Sequence, residues 1–189
     1  MRINYVTTNE TKIVVAQRIL AGYGVEVEPM RIETPEIQSV DGKDVCQYSA
    51  RYASRLLGKE VVKSDVSYSI PALHGFPGPF VKYVNSWLGV ADVLALLRDK
   101  SDRRVFITEY VCLAKTDEIV HTFFSTREGT ISDRVHAENG SMFDKLVIPK
   151  GHATPQNTWS EDDQRAFFTR HQRAWHDLGR HLNERIEIS

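Results

Sequence analysis

The sequence predicts an α/β fold with a mixed, twisted sheet flanked by helices. Three observations point there: strand and helix periods alternate through the first half, a run of strand patterns follows, and an amphipathic helix closes the chain. The length of 189 residues suits one domain made of two lobes. The expected lobes are residues 1–100 with the closing helix over 160–185, and residues 101–158. The default place for a site is a central cleft between such lobes.

Each element has a local reason. Ile3 to Val6 reads as a buried strand, and Thr7-Thr8-Asn9-Glu10 as a turn and helix cap. A helix follows to about Ala21, with Ile13, Ala16, Ile19 and Leu20 on one face and Gly22 and Gly24 at its end. Val25 to Arg31 alternates as a half-buried strand. A second helix spans Gly42 to Leu57, with Val45, Tyr48, Tyr52 and Leu56 at helical spacing and Gly58 as its stop. Val61 to Val66 is a short strand that places Asp65 at its C-terminal end.

Pro71 to Pro79 holds three prolines and two glycines, an irregular loop, and Pro79 is suited to open a helix. Phe80, Val84 and Trp87 continue at helical spacing, and Val90 to Leu97 forms another short helix. The strands Arg104–Ala114 and Ile119–Thr126 make a hairpin around Lys115-Thr116-Asp117-Glu118. Glu128-Gly129 reads as a further turn before a strand from Thr130 to Val135, and residues 137–158 as loop. One last helix starts at Ser160, with Asp163 completing a near capping box and Phe167, Ala174, Leu178 and Leu182 as its stripe.

Composition narrows the function. Hydrophobic residues at 41% and charged residues at 26% exclude a long disordered chain. Lys+Arg at 24 against Asp+Glu at 25 argues against a surface built for nucleic acid, while leaving room for a local basic pocket. No apolar run approaches the roughly 20 residues of a membrane span. Met1 to Val6 is not a signal peptide, so no membrane partner and a cytoplasmic location are expected. Cys46 and Cys112 sit in separate apolar patterns, which suits buried thiols in a reducing compartment.

Four constellations have the chemistry of a site. Thr7, Thr8, Asn9 and Lys12 stand where a strand hands over to a helix, and free helix amides there favour an anion; alone, the segment also reads as a plain capped helix. Glu36 and Asp65 are oxygen donors of the kind Mg²⁺ takes, with phosphate completing its shell; Asp41 and Asp44 are competitors. Lys82 follows the Pro-Gly loop by one helical turn and would reach a phosphate or solvent. Arg165, Arg170 and His171 form a polar stretch on the last helix, where His171 also shares the spacing of the buried stripe. No HExxH pair and no GxSxG elbow is present.

These pieces occur in an order that resembles the inosine triphosphate pyrophosphatase family. Thr7-Thr8-Asn9-Glu10-Thr11-Lys12 resembles its T-x-N-x-x-K segment, and Pro35-Glu36-Ile37-Gln38 its P-E-I/Y-Q loop. Ser64-Asp65 with Leu73-His74-Gly75-Phe76-Pro77-Gly78-Pro79-Phe80-Val81-Lys82 is similar to its acid pair and Pro-Gly-Lys block. Ser125 to Ile131 resembles its F-x-G-x-x-x-G-x-I strands. Three departures stand out. Ser64 replaces a family acid, Ser141-Met142-Phe143-Asp144-Lys145 keeps only the aromatic and Asp of an F-G-[YW]-D-P loop, and Arg170-His171 reverses a late His-Arg pair.

The resemblance implies a fold and an activity: an Mg²⁺-dependent pyrophosphatase acting on deaminated purine triphosphates such as ITP, dITP and XTP, as a homodimer. It implies Glu36 and Asp65 as metal ligands, and Asp65 and Lys12 at the chemistry. Thr7, Thr8, Asn9, Lys82 and Arg165 would hold phosphates, Phe143 would stack on the base, Asp144 would accept from a purine N–H, and Arg170 and His171 would also meet the ligand. The rival readings are the same chemistry on another nucleotide, or a nucleotide-binding regulator that has lost turnover.

Overall fold

The computed structural model describes residues 1–115, 119–136, 138 and 140–187. The expected hairpin turn at 116–118, and residues 137 and 139 of the expected loop, lie outside the described residues. The strands β1 (Arg2–Val6), β2 (Glu26–Met30), β3 (Val61–Ser69), β4 (Pro77–Gly78), β5 (Arg104–Lys115), β6 (Ile119–Ile131) and β7 (Val147–Pro149) form one mixed sheet. Its order is β2-β1-β3-β5-β6-β7, with β4 paired to β3. β1 is parallel to both β2 and β3; β3–β4 and β6–β7 are antiparallel. The fold is α/β, as the alternating pattern predicts.

The chain divides into two compact units at places other than the expected ones. Unit one holds residues 1–65, 109–125 and 168–189, and unit two holds 66–108 and 126–167. β3, β5 and β6 are each longer than the sequence pattern suggests, and each passes from one unit into the other.

Unit one carries two cores. The helices α1 (Glu10–Ala21) and α7 (Arg173–Glu187) bury Ile13, Ala16, Ile19, Leu20, Leu178 and Leu182 against Ile3, Tyr5, Val111 and Leu113 of the sheet. Trp175 is its largest buried side chain, edge-on to Tyr5 at 5.0 Å, with its indole N–H donating to Glu109 Oε1 at 2.9 Å. Gly179 is required here, because a Cβ would fall 2.3 Å from the Tyr23 ring. The second core holds Val6, Val61, Cys46, Cys112 and three alanines.

Helix α2 (Gly42–Leu57) forms where expected but buries a different face. Cys46, Ser49, Ala50, Ala53 and Ser54 are inside with Val45, while Tyr48, Tyr52 and Leu56 are exposed. Small residues line the buried face of this helix, and the larger side chains stay exposed.

Unit two packs α3 (Val81–Trp87), α4 (Val90–Leu96) and α5 (Met142–Leu146) through Val84, Val93, Met142, Phe143 and Leu146 onto Ile70, Val105, Ile107 and Ile131. Gly129 is not a turn. β6 runs through it, and its missing side chain admits β7, since a Cβ would sit 2.8 Å from the Ile148 carbonyl oxygen. The expected single closing helix is two, α6 (Glu161–His171) and α7, separated at the buried Gln172. Its start is as expected: Ser160 Oγ donates to Asp163 Oδ2 at 2.6 Å and accepts from the Asp163 amide at 3.1 Å.

Candidate active site

The C-terminal ends of the parallel strands β1 and β2 carry the first constellation. The Thr7 amide donates to the Met30 carbonyl at 3.1 Å, which ties the turn after β1 to the end of β2. Thr7 Oγ1 accepts from the Asn9 amide at 3.2 Å, and Asn9 Oδ1 accepts from the Lys12 amide at 3.1 Å. Asn9 is therefore the N-cap of α1, while Thr7 is buried and Thr8 exposed. Half-buried Lys12 turns back across the strand ends, and its Nζ donates to the Ser64 carbonyl at 3.5 Å. Glu10, exposed beside it, is engaged by Arg31, whose guanidinium hydrogen bond holds the Glu10 carboxyl below its ordinary value.

Asp65 does not end a strand. β3 continues to Ser69, because Val66 and Tyr68 still pack against the core of unit two. Asp65 nevertheless lies beyond the end of β1. Asn4 is level with Val61 and Tyr5 with Val62, so the same register carried onward sets Ser64 level with Thr7. Glu36 is exposed in the loop from 31 to 40, which Ser49 Oγ fastens to α2 by donating to the Pro35 carbonyl at 3.1 Å. The competing acids have structural roles: Asp41 caps α2 by accepting from the Lys43 amide at 2.8 Å, and Asp44 sits in its first turn.

Lys63 was missed by sequence reasoning. It is two residues before Asp65, so a strand places both on one face. Burial lowers its ammonium pKa, and the Lys12 charge lowers it further, while Cys46, Asp65 and Glu36 act in the opposite direction. Lys12, Glu36, Lys63 and Asp65 thus share one electrostatic neighbourhood. The period of two counted back from Asp65 is the signal that would have found Lys63.

Ser64 explains the loss of an acid there. It faces the other side of β3, is buried, and shares a 2.6 Å hydrogen bond with the Tyr5 hydroxyl. Burial holds the Tyr5 phenol well above its ordinary pKa. Buried Glu109, also unforeseen, lies in the same core.

In unit two, Lys82 is exposed in the first turn of α3. The Pro-Gly block before it is clipped to β3, with Gly78 opposite Tyr68 and Pro77 opposite Ser69. Phe143 corrects the expectation of a base-stacking ring. It is 1% exposed and lies stacked on Tyr68 at 4.6 Å, so it presents no open face to a ligand. Asp144 completes a capping box: its Oδ2 accepts from the Ser141 amide at 2.9 Å and hydroxyl at 2.7 Å. Arg165 is exposed and pairs with Glu161 at 2.7 Å and Asp162 at 3.8 Å within α6. Arg170 and His171 end that helix in unit one, Arg170 exposed and His171 half-buried.

Among the described residues no group of three or more His, Cys, Asp or Glu side chains could hold a metal ion. The pair Glu36 and Asp65 fits a hard cation that draws most of its ligands from phosphate and water; it does not fit a protein-enclosed metal. Among the described residues no helix is long and apolar enough to cross a membrane.

A βαβ half with a capped, lysine-bearing helix start beside a strand aspartate places this chain among α/β proteins with a candidate anion site at the ends of parallel strands. The chain belongs to the Ham1 family, whose family model matches residues 3–178. It is 34% identical over 151 residues to the dITP/XTP pyrophosphatase of Methanopyrus kandleri, covering 80% of each chain. It is 30% identical over 187 residues to that of Pyrobaculum aerophilum, covering 98% of each. Among solved structures it resembles a HAM1 protein from Coxiella burnetii with TM-score 0.83 and 20% identity, covering 97% of this chain and 99% of that one.

Proposed function

We propose that this chain is a nucleoside triphosphate pyrophosphatase that hydrolyses deaminated purine nucleotides, dITP, ITP and XTP, to the monophosphate and pyrophosphate. The observation that carries the reading is the junction at the end of β1. There an Asn9-capped helix start, the Lys12 ammonium at 3.5 Å from the Ser64 carbonyl, and the neighbouring Asp65 occur together. The names of the relatives, dITP/XTP pyrophosphatase, give the substrate class.

Glu36 and Asp65 would hold Mg²⁺. Bound there, the ion would offset phosphate charge and make the α-phosphorus more electrophilic. Thr7, Thr8 and Asn9 present the turn and first amides of α1 to the phosphates. Lys12 adds a full positive charge where negative charge redistributes during cleavage. The Asp65 carboxylate orients a water for attack on the α-phosphorus and takes its proton. Lys82 is assigned to a phosphate by the family pattern alone. Arg165, Arg170 and His171 are assigned to the ligand by the family pattern alone. A homodimer and a cytoplasmic setting belong to the same proposal.

A second reading keeps the chemistry and changes the base. The buried Phe143 and the helix-capping Asp144 favour it, because the two residues expected to read a purine have packing roles here. The test is pyrophosphate release from ITP, dITP, XTP, dATP, dGTP and dUTP with Mg²⁺, beside Asp65→Asn. Release from dITP and XTP that disappears in the variant supports the proposal. Release from another nucleotide transfers it to the second reading. Binding without release from any of them overturns the enzyme.

A further inference from the structure

We propose that Lys63 is a second phosphate-binding lysine of this site, acting beside Lys12 and presented by the same strand as Asp65. The inference rests on the pyrophosphatase reading and deepens it.

The placement follows from the sheet. β1 and β3 are parallel, and the register that pairs Asn4 with Val61 sets Lys63 level with Val6, the last residue of β1. Lys63 therefore stands where the parallel strands end, one residue from the carbonyl that accepts from Lys12 Nζ. Its side chain shares a face with Val61, which packs in the core beneath α2, and with Asp65. Its own carbonyl accepts from Cys46 Sγ at 3.5 Å, which fixes the backbone of β3 to α2 at this point. That face also bears the loop carrying Glu36, fastened to α2 through Ser49.

The chemistry follows from the placement. Lys63 is half-buried, and no described carboxylate lies within 4.0 Å of its ammonium, in contrast to Arg2, Arg104 and Lys150, each of which holds an ion pair. A partly desolvated ammonium beside another lysine is costly in an empty site and favourable with a polyanion bound. The ammonium is a compact point charge on a flexible stem, suited to phosphate oxygens that shift as the anhydride breaks. Lys12 approaches from α1 and Lys63 from the α2 side of the sheet, so the two cations bracket the strand ends.

The test uses inorganic tripolyphosphate as probe, followed by calorimetry, and steady-state turnover of dITP with Mg²⁺. The proteins are wild type, Lys63→Met, Lys63→Gln and Lys63→Arg, with thermal melts as a check on folding. The proposal expects Lys63→Met and Lys63→Gln to weaken tripolyphosphate at least about tenfold and to raise KM by a similar factor, with Lys63→Arg within about threefold of wild type. If both neutral variants melt cooperatively and bind and turn over as wild type does, the proposal is overturned and the pyrophosphatase reading stands. A lowered melting temperature with unchanged tripolyphosphate affinity also overturns it, since Lys63 would then only screen the carboxylates. If wild type neither binds tripolyphosphate nor hydrolyses dITP, the pyrophosphatase reading falls and this proposal falls with it.

Discussion

The turn after β1 and the stretch from 141 to 167 are both expected from the sequence to meet the ligand, and they are built differently. In the turn, each polar group is set by the local fold. Asn9 caps α1, Thr7 shapes the turn, and Lys12 reaches the Ser64 carbonyl with an ammonium that still has donors to give. In the later stretch the expected ligand groups have structural partners: Phe143 lies on Tyr68, Asp144 accepts from Ser141, and Arg165 pairs with Glu161. The turn after β1 is the stretch that keeps closer to the family pattern, with Thr7, Asn9 and Lys12 all in place.

The strongest way to break that comparison is at Asp65. Asp65→Asn should lower kcat/KM for pyrophosphate release by about 10²–10⁴-fold, the range for removing a positioned proton acceptor. The melting temperature should barely move, because Asp65 is only partly buried. Lys12→Ala should follow with a loss of about 10²-fold, the low end for removing one group that stabilises developing charge. Full activity in either variant would remove the turn from the site.

Phe143 sharpens the comparison from the other side. Phe143→Ala should cost about 3–5 kcal/mol in a urea titration, as a fully buried ring does. Phe143→Leu should cost less and leave KM for dITP within about threefold of wild type. A ring stacked on the base would behave otherwise, raising KM for dITP and dATP alike, because losing base stacking costs about 1–3 kcal/mol of binding. Asp144→Ala should cost about 1 kcal/mol through the α5 cap, with the ratio of dITP to dATP turnover unchanged. A changed ratio would return Asp144 to base reading.

Local rules made the first half readable. α2 has the bounds that its Gly42 start and Gly58 stop predict, and Gly58 has the positive φ of 60° that a left-handed helix end requires. What failed was inference about which face an element buries and how far it runs. Tyr48, Tyr52 and Leu56 share a helical stripe with Val45, yet the sheet accepts the small-residue face instead. β3 runs past Asp65 because its partners on the unit-two side are distant in sequence. Gly129 reads as a turn by type, and only the approach of β7 shows it to be a gap in a continuous strand. The candidate site was legible where one segment makes it, as in Thr7 to Lys12. It was illegible where pairing decides it, as at Lys63, whose meaning depends on its register against β1.

The smallest expected effect separates pH effects on folding from pH effects on turnover. His121 of β6 and His181 of α7 lie ring to ring at 4.6 Å in unit one, with Phe123 beside His181. Burial lowers the His181 pKa below its ordinary value, and the neighbouring His121 and Arg185 lower it further; Glu184 and Glu60 act the other way, and Glu60 is itself paired with Arg185. The native state therefore binds fewer protons than the unfolded chain just below about pH 6.5, so this contribution to stability is complete above that pH and declines as pH falls through the lower native pKa. Urea midpoints at pH 7.5 and pH 5.5 should fall farther apart for wild type than for His181→Phe, which keeps a ring against Phe123 and cannot take the proton. His121→Gln should give an intermediate difference, since it removes one of the groups that lower the His181 pKa. None of these residues belongs to the turn after β1, so kcat at pH 7.5 should be unchanged in both variants. A change in kcat there would tie the α7–β6 seam to the proposed site and weaken the separation between the region proposed for chemistry and one that holds the fold.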